Sequence, residues 1–470
     1  MTASSTDAVP RRRRRRQGRH TERSAGTGVW AATLALALAA LALPLMLGNR
    51  IPEAMTASLL LMTSASLLAG ILAMLPLQGA LALPSRSWLA FGGAFSALVL
   101  VQVLPLSALA DVFGAYPDAL WQHPAFEPRH WSPDVGATLR GWAAFVALFT
   151  AAWIAHGLCR AQRHLLWLGL VGMALFQAGY GVAAHAAGTD SIFGVWPRNN
   201  PDFVHGSFSN RNLFAAYLAL LWPLSVAVWW IRDMPLLGRL PKELKVAGSL
   251  MASAVIGAAL LASASRLGSA AGMAGMLVAL ILWSRHRHLL HAHTAWPAYL
   301  ALAAALLAAA WYGLTPLAAR LLATGIDDGR FEVAALMLAE FPWQWYLHGV
   351  GLGGFEAVFK QFQPGHISGW YDYAHNDLLQ WLVEMGFAGL LLLAVVVGAL
   401  FRSAHLSTER IALYAGLAAL SMVGLGDFSW HIPATQFTLA LFIGTLLRRP
   451  RYGLSPIRQA GTPSYGPLRT

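Results

Sequence analysis

The most constraining feature of this sequence is an apolar run that recurs along nearly its whole length. The runs fall at roughly 29–48, 55–77, 88–107, 139–158, 164–185, 211–231, 246–264, 268–284, 295–313, 377–401, 410–426 and 432–447. Segments of about 17–25 apolar residues cross the hydrocarbon core of a bilayer as helices. With only 11% charged residues, against about 25% in soluble domains, the chain cannot cover a water-facing surface. An all-α, polytopic membrane protein with about 12 transmembrane helices is expected. The single cysteine, Cys159, excludes an internal disulfide framework and a multi-thiolate metal site. The first run follows six consecutive arginines; its length and the eleven later runs favour an uncleaved anchor over a signal peptide.

The net charge of +12 resides at the ends. Residues 1–24 carry eight Arg against Asp7 and Glu22, and residues 448–470 carry five Arg and no acid. A nucleic-acid surface would spread its charge over a face of the fold, so no nucleic-acid partner is expected. Two basic tails instead signal orientation. With the N-terminus in the cytoplasm, the tails and cytoplasmic loops hold 24 of the 33 Lys and Arg, and an even span count returns the C-terminus to the same side. The sequence thus divides into a basic cytoplasmic tail (1–28), one membrane domain (29–447) with a large outer loop (314–376), and a second basic tail (448–470). Membrane lipids are the expected surroundings.

Four polar elements fall on the outer side of this topology. They are Gly206–Asn212, the turn Ser263–Arg266, Asp327–Arg330, and Tyr373–Asp377. Arg211, Arg266 and Arg330 offer three guanidinium forks at the edge of a low-dielectric medium, a chemistry suited to phosphate oxygens. Each also reads as a residue snorkelling to the headgroups. His375 reads either as a base for a hydroxyl nucleophile or as an ordinary helix-start residue. Asp377 and Glu384, seven residues apart, share a helix face, whereas His375 and Glu384 would lie on opposite faces of a helix that included both. Glu384 would sit roughly 10–14 Å into its span, and it reads as a structural group holding the site-bearing helix. Asp327, Asp328, Asp372 and Asp377 have no diagnostic metal spacing, so no metal and no cofactor are expected.

These residues carry a family resemblance. The stretch His375-Asn376-Asp377-Leu378-Leu379-Gln380, followed by Glu384-Met385-Gly386 and Gly389, resembles the signature of the O-antigen ligase and polymerase superfamily. Gly206 to Asn212, with Tyr217 and Pro223, is similar to its Gly-x-Phe-x-Asn-x-Asn segment. Ser265-Arg266-Leu267-Gly268 resembles its Ser-Arg-x-Gly turn. Arg330 and the stretch Gly349-Val350-Gly351-Leu352-Gly353, with Phe355, resemble its large-loop Arg and Gly-rich segment. The likeness covers residues from about 200 to 430.

The resemblance implies a GT-C-like glycosyltransferase of a bacterial inner membrane, acting at the periplasmic face, where the loop 314–376 would lie, on an undecaprenyl-pyrophosphate-linked glycan. Arg211, Arg266 and Arg330 would bind the pyrophosphate, and His375 would orient or deprotonate the acceptor hydroxyl. Asn210, Asn212, Asn376, Asp377 and Glu384 would support the site. The acceptor would be lipid A-core in a ligase of lipopolysaccharide assembly, or the growing glycan in an O-antigen or exopolysaccharide polymerase. A protein O-oligosaccharyltransferase is a further alternative, disfavoured by the short C-terminal tail. A transporter of the lipid-linked glycan would place polar residues near the midplane of two related halves; here they crowd one rim.

Overall fold

The computed structural model describes residues 26–46, 52–75, 81–105, 130–198, 201–286, 329–367 and 369–448. The expected span 295–313, most of both tails, Asp327 and Asp328 lie outside the described residues. The first eight helices are α1 (Thr27–Ala42), α2 (Pro52–Met74), α3 (Arg86–Gln102), α4 (Val135–Gly157), α5 (Arg160–Ala186), α6 (Arg211–Ala227), α7 (Lys242–Ala262) and α8 (Arg266–Arg285). Three shorter ones follow, α9 (Gly329–Glu340), α10 (Trp343–His348) and α11 (Phe355–Phe362), and then α12 (Asp377–Arg402), α13 (Thr408–Gly424) and α14 (Pro433–Leu447). The strands among the described residues are β1 (Ser191–Ile192) and β2 (Trp196–Pro197), a two-stranded antiparallel hairpin.

Seven of the described helices (α1, α2, α4, α5, α7, α8 and α12) are long and apolar enough to cross a membrane, where the sequence suggested twelve spans. The helices α6 and α14 are shorter apolar helices. The expected loop 314–376 contains α9 to α11, whose aromatic core joins Val333, Met337, Trp345, Phe355 and Phe359 to Val383 of α12.

The helix α6 forms the centre of the bundle. From Leu213 to Ala227 every one of its residues is buried, as befits a helix apolar on all sides. Lipid supplies no hydrophobic drive between helices, so close approach depends on small residues. A side chain on Gly416 of α13 would strike the carbonyl of Leu220 in α6, and one on Gly444 of α14 would strike Ala152 in α4. Gly268 of α8 faces Ala215 of α6 in the same way. These contacts bring the first turns of α6 and α8 side by side, and so set where Arg211 and Arg266 begin.

The helix α12 is broken some distance below its start. Gly386 adopts φ 65° and ψ −167°, a region open essentially to glycine alone. Its backbone lies on that of His348 and Gly349, where a β-carbon would come 2.5–2.6 Å from main-chain atoms. The break frees carbonyl groups, which need partners when buried. Val350 N–H donates to the Val383 carbonyl at 2.8 Å, and Gly351 N–H to the Glu384 carbonyl at 3.0 Å. The Gly-rich stretch therefore docks on α12 as a substitute for its missing turn.

Candidate active site at the converging helix starts

The motif Ser209-Asn210-Arg211-Asn212 is a helix start. Asn210 caps α6, its side-chain oxygen accepting from Asn212 N–H at 2.8 Å. Ahead of it, Ser207 is sewn to the rest of the bundle. Its amide donates to Gln177 Oε1 at 2.9 Å, and its hydroxyl donates to the Pro44 carbonyl at 2.7 Å. Gly206, at φ +57°, lies so close to Gln177 and Phe214 that a β-carbon would not fit. Arg211, in the first turn, is only 7% exposed. Its guanidinium lies 3.9 Å from the centroid of the Phe203 ring, and Nη1 has no hydrogen-bond partner. A buried guanidinium with an unused donor is an anion site in waiting, because an unpaired buried charge is costly.

Ser265 caps α8 likewise, accepting from Gly268 N–H at 3.4 Å, and Arg266 is the first residue of that helix. The turn before it needs Ala264 at φ 50° and is tied by Ser265 N–H donating to Ser263 Oγ at 3.2 Å. Next to Arg266, Leu267 packs against Gly426 in the loop joining α13 and α14.

That loop connects to the histidine. His375 lies outside α12, which begins at Asp377, and has φ 51°. The helix thus starts where the apolar run 377–401 does, and Asn376, accepting from Leu379 N–H at 3.0 Å, is the cap. His375 Nδ1 lies 3.4 Å from Asp427 Oδ1, and Asn376 donates to the Leu425 carbonyl at 3.1 Å. Tyr371 and Phe428 hold the imidazole edge-on, with ring centroids 5.9 and 4.8 Å away. Asp377 is fully buried and faces the same loop: it accepts from Trp430 N–H at 2.9 Å and from Ser429 Oγ at 3.3 Å, and its Oδ1 meets His431 Nδ1 at 2.8 Å. Burial disfavours the charge of His431, but the Asp377 hydrogen bond and carboxylate outweigh it and raise the His431 pKa.

Glu384 and Asp377 serve different neighbours. The Glu384 carboxylate accepts from Gly353 N–H at 2.9 Å, Phe355 N–H at 3.3 Å and Gln380 Nε2 at 3.0 Å. It therefore holds the start of α11 against α12. Gln380 in turn accepts from Ala374 N–H at 2.9 Å, beside His375.

The starts of α6, α8 and α12 thus meet near the α13–α14 loop, bringing Asn210, Arg211, Arg266, His375, Asn376 and Asp377 to one end of the bundle. Helix N-termini carry partial positive charge and unpaired N–H groups, so three together favour an anion. Asn212 follows Arg211 and is half-buried. Arg330 falls in the first turn of α9, and its side chain lies outside the described residues. No cluster of three or more metal-ligating side chains occurs among the described residues.

Sequence reasoning missed Asp427, His431, Phe203 and Arg198. Asp427 carried a signal, since an acid between two closely spaced apolar runs is costly without a task. Its partner lies 52 residues away, however, which only packing reveals.

The opposite end of the bundle is held by other ionic groups. Arg163 pairs with Glu409 at 3.1 Å, Arg410 donates to the Ser403 carbonyl at 2.7 Å, and Arg448 donates to the Leu158 carbonyl.

No curated protein matches the chain significantly. Residues 251–394 match the Wzy_C family model, described as O-Antigen ligase. That stretch contains Arg266, the Gly-rich segment, His375, Asp377 and Glu384, and over it the chain is similar to the O-antigen ligase family.

Proposed function

We propose that this protein is an inner-membrane glycosyltransferase that moves a glycan from undecaprenyl pyrophosphate to an acceptor hydroxyl at the periplasmic face, as an O-antigen ligase does in lipopolysaccharide assembly. The observation that carries this reading is the buried Arg211 guanidinium, with an unused donor, at one of three converging helix starts. Arg211 and Arg266, with Arg330 from α9, would hold the pyrophosphate, while the lipid tail stays in the bilayer and the glycan extends into water.

In the transfer, the acceptor oxygen bonds to the anomeric carbon as the bond from that carbon to the phosphate oxygen breaks. The departing lipid pyrophosphate gains a negative charge, so guanidinium contacts strengthen toward the transition state, as catalysis requires. His375 would take the hydroxyl proton. Asp427, 3.4 Å from Nδ1, would keep a proton on that nitrogen and leave Nε2 as the base.

A polymerase using the growing glycan as acceptor has the same chemistry. A protein O-oligosaccharyltransferase would use a protein hydroxyl, and a transporter would perform no transfer. The test is deletion of the gene from its host, with lipopolysaccharide resolved by gel and secreted polysaccharide assayed alongside. Loss of the long ladder with intact core, and accumulation of lipid-linked long chains, supports the ligase. Accumulation of single repeat units, or loss of exopolysaccharide alone, supports the polymerase. No change in any glycan refutes both.

A further inference from the structure

The hairpin before α6 contains a second buried guanidinium that the proposed chemistry does not use. Arg198 is 8% exposed and follows β2. It makes four hydrogen bonds to the end of α5 and the segment after it: Nε to His205 Nε2 at 3.0 Å, Nη1 to the Ala184 carbonyl at 3.2 Å and the Thr189 carbonyl at 3.0 Å, and Nη2 to the Phe203 carbonyl at 3.1 Å. Its backbone amide donates to the Asp190 carbonyl at 2.9 Å. The hairpin is itself fixed to α5, where Tyr180 stacks on Phe193 at 4.7 Å and accepts from the Phe193 amide. No carboxylate forms an ion pair with Arg198 or Arg211 among the described residues.

Phe203 joins the two cations. Its carbonyl accepts from Arg198, and its ring carries Arg211 at 3.9 Å. The next residue, Val204, donates its amide to the Ala262 carbonyl at the end of α7. The peptide unit that follows the Phe203 ring is therefore held at both its C=O and its N–H. A guanidinium that stacks by its face keeps its in-plane N–H edge available. That geometry agrees with the unpartnered Nη1 of Arg211. His205 completes the clamp: its Nε2 accepts from Arg198, which places its proton on Nδ1.

We infer that Arg198 is a positioning residue, which through Phe203 holds the Arg211 guanidinium face-on and its donor edge toward a pyrophosphate. The inference rests on the reading of Arg211 as a pyrophosphate ligand. It predicts a chain of action from Arg198 to the Phe203 ring to Arg211, with Arg198 itself touching no substrate.

The test uses the full chain purified in detergent and measures the Kd for undecaprenyl pyrophosphate. Phe203→Leu keeps an apolar side chain and removes the ring face, and it should weaken binding roughly tenfold. Phe203→Trp keeps a ring face and should bind within about threefold of the unmodified chain. Arg198→Met should weaken binding as Phe203→Leu does. In an Arg211→Met background neither change should weaken binding further, because the three residues act as one unit. If Arg211→Met weakens binding while Phe203→Leu and Arg198→Met do not, the positioning role is overturned and the pyrophosphate reading stands. Should both changes weaken the Arg211→Met variant by their full factor, they act on the fold and not through Arg211, which also overturns it. If Arg211→Met binds like the unmodified chain, the pyrophosphate reading falls and the positioning role with it.

Discussion

Replacing Glu384 with Gln alters one atom and disturbs a closed hydrogen-bond set. The carboxylate receives three donors: Gly353 N–H on Oε2, and Phe355 N–H and Gln380 Nε2 on Oε1. A glutamine has one acceptor oxygen and brings an NH₂ group in place of the other. With its oxygen toward Phe355, its NH₂ faces the Gly353 N–H. With its oxygen toward Gly353, its NH₂ faces two donors. Turning the Gln380 amide over offers an acceptor but points its NH₂ at Ala374 N–H, which its oxygen now serves. Each arrangement strands at least one buried donor, at about 1–3 kcal/mol, and weakens the remaining charge-assisted bonds by about 1 kcal/mol each. Burying an amide costs less than burying a carboxylate, so the expected net destabilisation is roughly 2–4 kcal/mol. The assay is thermal unfolding of the purified chain, with the double variant Q380E/E384Q beside the single one. In the double variant the carboxylate introduced at position 380 accepts from both Ala374 N–H and the amide introduced at position 384, so about half of the lost stability should return. An unchanged Tm for E384Q, or a double variant less stable than the single one, would refute the reasoning.

Arg266→Lys keeps the charge and loses the fork, and should abolish most turnover in a transfer assay; near-normal turnover removes Arg266 from the site. His375→Ala should slow transfer with little change in the Kd for the lipid-pyrophosphate probe, and a collapse of binding would make it a pyrophosphate ligand instead. His205 is fully buried, and burial followed by the nearby Arg198 charge pushes its pKa down from 6.5 to about 4. The unfolded chain therefore binds this proton first, so stability present above pH 6.5 is lost as pH falls toward 4, by about 3 kcal/mol in all. A His205→Asn chain should show a flatter fall of Tm between about pH 7 and 4.5, and parallel curves would contradict this. Gly386→Ala forces a β-carbon onto the His348–Gly349 backbone at φ 65°; it should cost upwards of about 1–3 kcal/mol, seen as a lowered Tm, and an unshifted Tm would show that the break in α12 relaxes freely.

Some of the site was legible in the chain because it depends on neighbours in sequence. Asn210, Ser265 and Asn376 precede α6, α8 and α12 and cap them with their own side chains, a pattern that polar residues before apolar runs announce. Glu384 stood out because an ionisable group inside a span must have a partner, although Gly353 and Phe355 could not be named as that partner. Asp427 opposite His375 and Phe203 beneath Arg211 were not legible, since each pairing depends on how distant segments pack.

The sequence by itself determined that this chain inserts in a membrane as helices, and roughly where those helices lie. Transfer from water to lipid sums over a run of residues, whatever the run later touches. It also led to the expectation that Arg211, Arg266 and His375 share one side, because each crossing reverses the side of the chain, and the structure brings the starts of α6, α8 and α12 to one end of the bundle. Only the tertiary structure decided that α6 is the buried centre, that α12 breaks at Gly386 to receive the Gly-rich stretch, and that Asp427 faces His375 while Arg198 donates to the carbonyl of Phe203, whose ring lies under Arg211. Those outcomes arise where small residues let backbones approach, and the contacts that result join residues with no fixed spacing along the chain.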